Sequence, residues 1–150
     1  RMIMKRTLTA LGVAAAIAVT CTIGFAQGQQ QQPQKKALVF VPADKATFKE
    51  AVPGVSKAVL WGDHDKGPYG AFTKFVPGFD AGMHQHTNDV WIVVLKGAYL
   101  YRDDAGEKRV ALGDFIRIPG KHKHWSGGDA KEGALFYEES SGKFDLVPVK

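Results

Sequence analysis

From Ala37 onward the chain alternates short apolar runs with clusters of Gly, Pro and Asp. The runs are ALVFV, SKAVLW, YGAFTKFV, VWIVVL, AYLYR, KRVAL, FIRIP, GALFYEE and FDLVPV. Each is rich in β-branched and aromatic residues and bounded by turn residues, which predicts a strand. Many short strands at close spacing predict an all-β sandwich or barrel. Only ADKATFKEAV, Ala43 to Val52, carries a helix-like period; it reads as one short helix or a loop. No internal repeat is present.

The first residues have a different texture. Lys5 and Arg6 precede an apolar run from Leu8 to about Val19, and small residues, Gly24 and Ala26, sit at the −3 and −1 positions of a cleavage site. This is the layout of a secretory signal peptide over 1–26. The run is short for a spanning helix, which needs about 20 apolar residues, so a retained anchor is the weaker reading. Cys21 lacks the neighbours of a lipidation site. Residues 27–36, QGQQQQPQKK, are polar and of low complexity, and read as a disordered leader. The folded domain is expected over 37–150, exported to the periplasm or secreted, with no stable membrane insertion of the mature chain.

Charge and cysteine content narrow the function classes. The net charge of +5 falls to +2 once Arg1, Lys5 and Arg6 leave with the signal. No basic cluster with interleaved aromatics remains, which argues against nucleic acid as a partner. The single cysteine, Cys21, leaves as well, so the mature domain does not depend on a disulfide.

The candidate chemistry lies in two histidine pairs. His84 and His86 precede an apolar run, and His122 and His124 follow IPGK. Alternate residues of a strand face the same side, about 6.6 Å apart along it. If strands run through them, each pair shares a face. Imidazole is the commonest protein ligand for borderline transition metals. His64, between Asp63 and Asp65 in a turn-rich stretch, reads as a loop residue. Alternation sets Trp125 outside the barrel. Tyr99, Tyr101, Phe72, Phe115, Phe136 and Tyr137 supply aromatic surface whose facing stays open. Glu138 and Glu139 lie late on a strand; one of them reaching the pocket as a general base is the minor reading, because most such carboxylates are solvated.

Gly78, His84, His86 and Gly97 stand at the spacing of the first motif of the cupin superfamily, and Gly113, Pro119 and His124 at that of the second. The chain therefore resembles a cupin, of the small, exported, single-domain ChrR-like kind. The resemblance implies an antiparallel β-barrel of jelly-roll type with one divalent transition metal (Fe, Mn, Zn, Cu or Ni) held by His84, His86 and His124. The acid of the first motif falls at Val90. Asp89, one residue early, would join the metal only through a bulge. Lys121 stands at the Gly position of the second motif and Gly128 at its Asn. His122 is an extra ligand or supports one. Val90 and Ile92 are expected as pocket wall, Val90 beside the metal.

Three neutral ligands leave the charge of a divalent ion uncompensated, which favours anionic, chelating ligands such as enolates, carboxylates or catecholates. In some cupins a three-histidine iron binds an organic substrate beside dioxygen. The resemblance thus implies an oxidoreductase of dioxygenase type acting on a small-molecule substrate. The alternative is a non-catalytic metal- or ligand-binding module of the cell envelope. No residue is assigned to catalysis, and no clear proton-transfer group stands out. A homodimer is the expected oligomer, since an open sheet edge needs covering.

Overall fold

The computed structural model describes residues 37–149. The expected signal peptide and leader, 1–26 and 27–36, lie outside the described residues. A short 3-10 turn, Ala43–Lys45, precedes ten strands. These are β1 (Lys49–Val52), β2 (Val55–Gly62), β3 (Tyr69–Phe75), β4 (Asp80–Gln85), β5 (Val90–Asp103), β6 (Gly106–Ala111), β7 (Phe115–Ile118), β8 (His124–Gly128), β9 (Ala134–Ser140) and β10 (Val147–Pro148). All pairings between them are antiparallel.

The β5 strand joins two curled sheets. Its first part, Val90 to Gly97, pairs β9, and Val90 to Val93 also pairs β7. Its second part, from Ala98, pairs β6 and β8. One sheet continues outward from β9 through β3 and β2 to β1, and the other from β8 through β4 to β10. The change of partner falls at Gly97, whose φ is +67°. A Cβ there would lie 2.2 Å from the carbonyl oxygen of Gly133. Two runs that the sequence separates, VWIVVL and AYLYR, are therefore one bent strand, with glycine at the bend because both the left-handed φ and the close approach exclude a side chain.

Inward positions alternate most regularly along β9. In β9, Ala134, Phe136, Glu138 and Ser140 are buried, while the residues between them are partly exposed. Val90, Ile92, Val94, Tyr99, Tyr101, Val110, Ile118, Ala134 and Phe136 form the apolar core, with Phe75 and Ile116 packed against it. Phe136 meets Phe75 edge-on at 5.0 Å and Tyr99 at 5.3 Å. Full burial of each large apolar side chain contributes about 1.5–3 kcal/mol. The interior is not wholly apolar: Lys57, Thr73, His84, His124, Ser126, Glu138 and Ser140 are buried as well.

Three expectations about local structure need correction. ALVFV forms no strand; Leu38 and Phe40 are 94% and 80% exposed, because no neighbouring strand pairs with them. ADKATFKEAV is a 3-10 turn followed by β1. PGFDAG is not only a turn, since β4 already begins at Asp80. Gly97→Ala should destabilise the domain by about 3 kcal/mol or more, from backbone strain plus the clash with Gly133. A urea titration of both proteins should show a lower midpoint at unchanged slope.

Candidate metal centre

β4 and β8 lie side by side, and His84 is directly opposite His124 in their register. Opposed residues of an antiparallel pair face the same side, so both rings enter the interior. Their centroids are 4.3 Å apart. A register shift between Asp80 and Met83, with Gly82 at φ +68°, sets this phase. His86 lies just past the end of β4, so the pair is not carried on one regular strand. Its ring nevertheless comes to 5.0 Å from that of His84 and 5.5 Å from that of His124. One nitrogen from each ring lies within 4.8 Å of the others.

The hydrogen bonds identify that nitrogen. Nδ1 of His84 donates to the carbonyl of Gly82 at 2.9 Å, Nδ1 of His86 to that of Asp145 at 2.5 Å, and Nδ1 of His124 to that of His122 at 3.0 Å. A carbonyl only accepts, so each ring carries its proton on Nδ1 and keeps the Nε2 lone pair free. Nε2 of His124 is buried with no hydrogen-bond partner. An orphaned buried acceptor among three convergent lone pairs is what a metal cation satisfies. The donor set, three neutral nitrogens, fits Fe, Mn, Zn, Cu or Ni.

Burial holds the three imidazoles neutral. It pushes the pKa of His84 and His86 below the usual value, against the raising effect of their carbonyl partners. His124 falls to about 4, again chiefly through burial, with its backbone hydrogen bond opposing and the neighbouring histidines adding to the fall. Tyr101 stacks on His124 at 5.4 Å and 18°.

His122 and Asp89 lie away from this cluster. His122 turns its Nε2 to Asp103 at 2.9 Å, and Asp103 also accepts from the Tyr101 hydroxyl at 2.7 Å. It precedes β8, so it does not share a strand face with His124. Those two bonds, Tyr101 first, hold the Asp103 carboxyl down at about 2. Asp89 accepts from Arg117 at 2.6 Å and from the amide of Gly120 at 2.8 Å, pinning the loop ahead of β5 to the turn after β7. Lys121, where the motif has Gly, adopts φ +64° and donates its amide to the carbonyl of His86. The turn keeps the left-handed conformation without the residue that adopts it freely.

A cavity of about 40 Å³ opens onto His84 and His86. That is room for roughly three waters. Val90, Ile92 and Phe136 form part of its wall, with Phe144 and Leu146 contributed by the C-terminal segment. Trp125 lies outside, donating to Asp80 at 2.6 Å beneath the Arg102 guanidinium. His64 is not among the clustered histidines; its carbonyl accepts the Phe144 amide at 2.7 Å.

The opposite wall is charged, which the sequence did not disclose. Glu138, 5% exposed, accepts from Lys57, 4% exposed, and from the Tyr69 hydroxyl at 2.6 Å. Both bonds fall on Oε1. Lys57 also donates to Thr73 at 3.2 Å and lies 4.3 Å from the Phe144 ring centre. Burial pushes the Glu138 carboxyl up, but the Lys57 charge and the hydrogen bonds from Lys57 and Tyr69 outweigh it and hold the group ionised. Burial likewise lowers Lys57, against the raising effect of Glu138. Inward parity on β2, β3 and β9 was the available signal for this cluster. Lys57→Met alone should cost about 3–5 kcal/mol, because it strands a buried carboxylate, and Lys57→Met with Glu138→Gln much less. Chemical unfolding of the parent, the single and the double variant measures the difference.

Residues 44–150 match the family described as a domain of unknown function, DUF4437. No curated protein matches the chain. Among solved structures, KdgF from Halomonas sp. is 19% identical with a TM-score of 0.58, over 71% of this chain and 94% of that one. An RmlC-like cupin from Shewanella frigidimarina is 18% identical, TM-score 0.57, over 70% and 92%. The polyketide cyclase RemF from Streptomyces resistomycificus is 17% identical, TM-score 0.62, over 76% and 87%. At such identities the likeness is one of fold. With its antiparallel strands and three inward histidines, the chain belongs to the DUF4437 family and has the fold of the cupin structures it matches.

Proposed function

We propose that this cupin is a metal-dependent enzyme that binds one divalent transition metal through Nε2 of His84, His86 and His124 and acts on a small anionic, chelating substrate. The observation that carries the reading is the shared tautomer: each Nδ1 is committed to a carbonyl, and the buried Nε2 of His124 has no partner. A bound metal would supply Lewis acidity and a template there, and redox chemistry of oxygenase type if it is iron or another redox-active ion. The protein's own contribution is to fix three rings through their Nδ1 hydrogen bonds and to line the cavity beside them with Val90, Ile92 and Phe144. The apolar wall suits the hydrocarbon part of a ligand, and the histidine end its anionic part.

The likeness to a structure named as a polyketide cyclase supports a catalytic use of this barrel. The tight cover by Phe144 and Leu146 favours a second reading, a module that holds metal and ligand without turnover. The N-terminal signal layout supports work in the periplasm or outside the cell. Among the described residues no helix is long and apolar enough to cross a membrane.

Elemental analysis of purified protein should find one first-row metal per chain, with its loss in His86→Ala and His124→Ala. No stoichiometric metal after supplementation would refute the proposal. Metal with ligand binding, but no consumption of small acids, diketones or oxygen, would select the binding module. The metal-free protein should lose stability as pH falls from 7 toward 4. Its three histidines have folded-state pKa values below the usual 6.5, so their stabilisation is complete above 6.5 and disappears as the unfolded chain takes up protons below it. Urea midpoints measured across that range test the sign.

A further inference from the structure

The buried charges opposite the histidines have no part in the metal centre described so far. Removing Lys57 and Glu138 from water is costly, and a well-packed apolar pair of similar volume is often at least as stable. Their position bears on what they do. Ile92 faces Glu138 across the β5–β9 pairing, and Val90 faces Ser140. Glu138 is thus the diagonal neighbour of Val90 on the same inner face, roughly 7–8 Å away by sheet geometry. Val90 occupies the place where the cupin motif carries its acid. The pocket has a carboxylate after all, supplied by β9 in place of β5.

That carboxylate is not among the atoms that converge with the histidines. Lys57 and Tyr69 hold Oε1, and the rigid β9 backbone is paired on both sides, with β3 and with β5. Glu138 lines the same cavity as His84 and His86. An ionised carboxylate, fixed in place and lining the same cavity as a chelating centre, can accept a proton from a ligand held there. The Lys57–Glu138 pair adds no net charge, so the histidine end keeps its preference for an anionic ligand.

We propose that Glu138 is the proton-transfer group of this pocket, taking a proton from carbon beside the carbonyl of a small keto acid bound at the histidine end. The inference rests on the metal-dependent reading above. In the step, the C–H bond breaks and its proton moves to Glu138 Oε2, the oxygen that neither Lys57 nor Tyr69 engages. The electron pair delocalises onto the carbonyl oxygen, giving an enolate. Returning the proton to carbon restores the keto acid and the carboxylate, with no oxidant or reductant. Lys57 and Tyr69 are positioning residues: they keep the carboxylate ionised and fix its orientation.

Pyruvate is the probe, because it is anionic, chelating and small, and its methyl hydrogens report the step. The exported protein is loaded with Mn²⁺, and metal content and paramagnetic broadening of the pyruvate methyl signal establish binding. Exchange of the methyl hydrogens in D₂O is then followed by NMR. The parent should exchange them, and Glu138→Gln should lose about a hundredfold or more in rate with metal content and broadening unchanged. The double variant Lys57→Met with Glu138→Gln, which leaves no stranded charge, should behave as Glu138→Gln does. Tyr69→Phe should slow exchange severalfold without weakening pyruvate binding. No exchange in the parent despite bound metal and pyruvate, or equal exchange in parent and double variant, overturns the role of Glu138 alone. Failure of the parent to take up Mn²⁺ or to broaden the signal overturns the metal-dependent reading and this one with it.

Discussion

The site depends on three backbone carbonyls, those of Gly82, His122 and Asp145, each taking the Nδ1 proton of one imidazole. Without them the rings could rotate or carry the proton on either nitrogen, and three lone pairs would not face one another. The carbonyls come from three separate places: the bulged start of β4, the turn before β8 and the C-terminal segment. The sheet therefore has to form before the ligand set exists. The cross-strand pairing of His84 with His124 adds the other half of the constraint, since it fixes two ligands by register and not by loop conformation.

The C-terminal segment is tied to the centre more closely than its short β10 strand suggests. Asp145 accepts from His86 through its carbonyl and from the amide and hydroxyl of Thr87 through its carboxylate. Asn88 holds the carbonyl of Lys143 at 3.1 Å, and the amide of Ser141 reaches the carbonyl of Asp89 at 3.1 Å. Phe144, between these anchors, lies against both Lys57 and His86. One segment thus orients a ligand and covers the cavity, so geometry at the histidines and enclosure of the pocket are linked through the same hydrogen bonds.

The interior divides by chemistry along its strands. Toward Gly97, β5 and β9 turn Val94, Ala134 and Phe136 inward. Toward the other end, the apolar Val90 and Ile92 of β5 face the polar Ser140 and Glu138 of β9. Buried polar groups are costly unless paired, and here they are paired with carbonyls or with one another. Among the described residues two buried ring nitrogens lack a partner, Nδ1 of His64 and Nε2 of His124, and of these only His124 belongs to the histidine cluster and points to a ligand.

The sequence by itself determined the all-β class, because alternating apolar runs and turn residues predict a sandwich or barrel, and the resemblance of two spaced motifs to those of cupins narrowed it to a barrel and singled out His84, His86 and His124. Inward parity for Val90 and Ile92 follows from the period of two on a central strand. Tertiary structure alone decided the rest. ALVFV reads as a strand, yet a strand exists only where a partner offers hydrogen bonds, and none does. The two runs of β5 read as separate because Lys96 and Gly97 interrupt the apolar pattern, while the close approach to Gly133 is visible only in three dimensions. Whether Asp89 or His122 joins the histidines turned on Arg117, Gly120 and Asp103, all distant or ambiguous in sequence. Glu138 reads as one of two solvated acids. Only the pairing of β2, β3 and β9 brings Lys57, 81 positions away, to neutralise it inside the pocket, because charge burial is set by what lies opposite and not by what lies beside a residue in the chain.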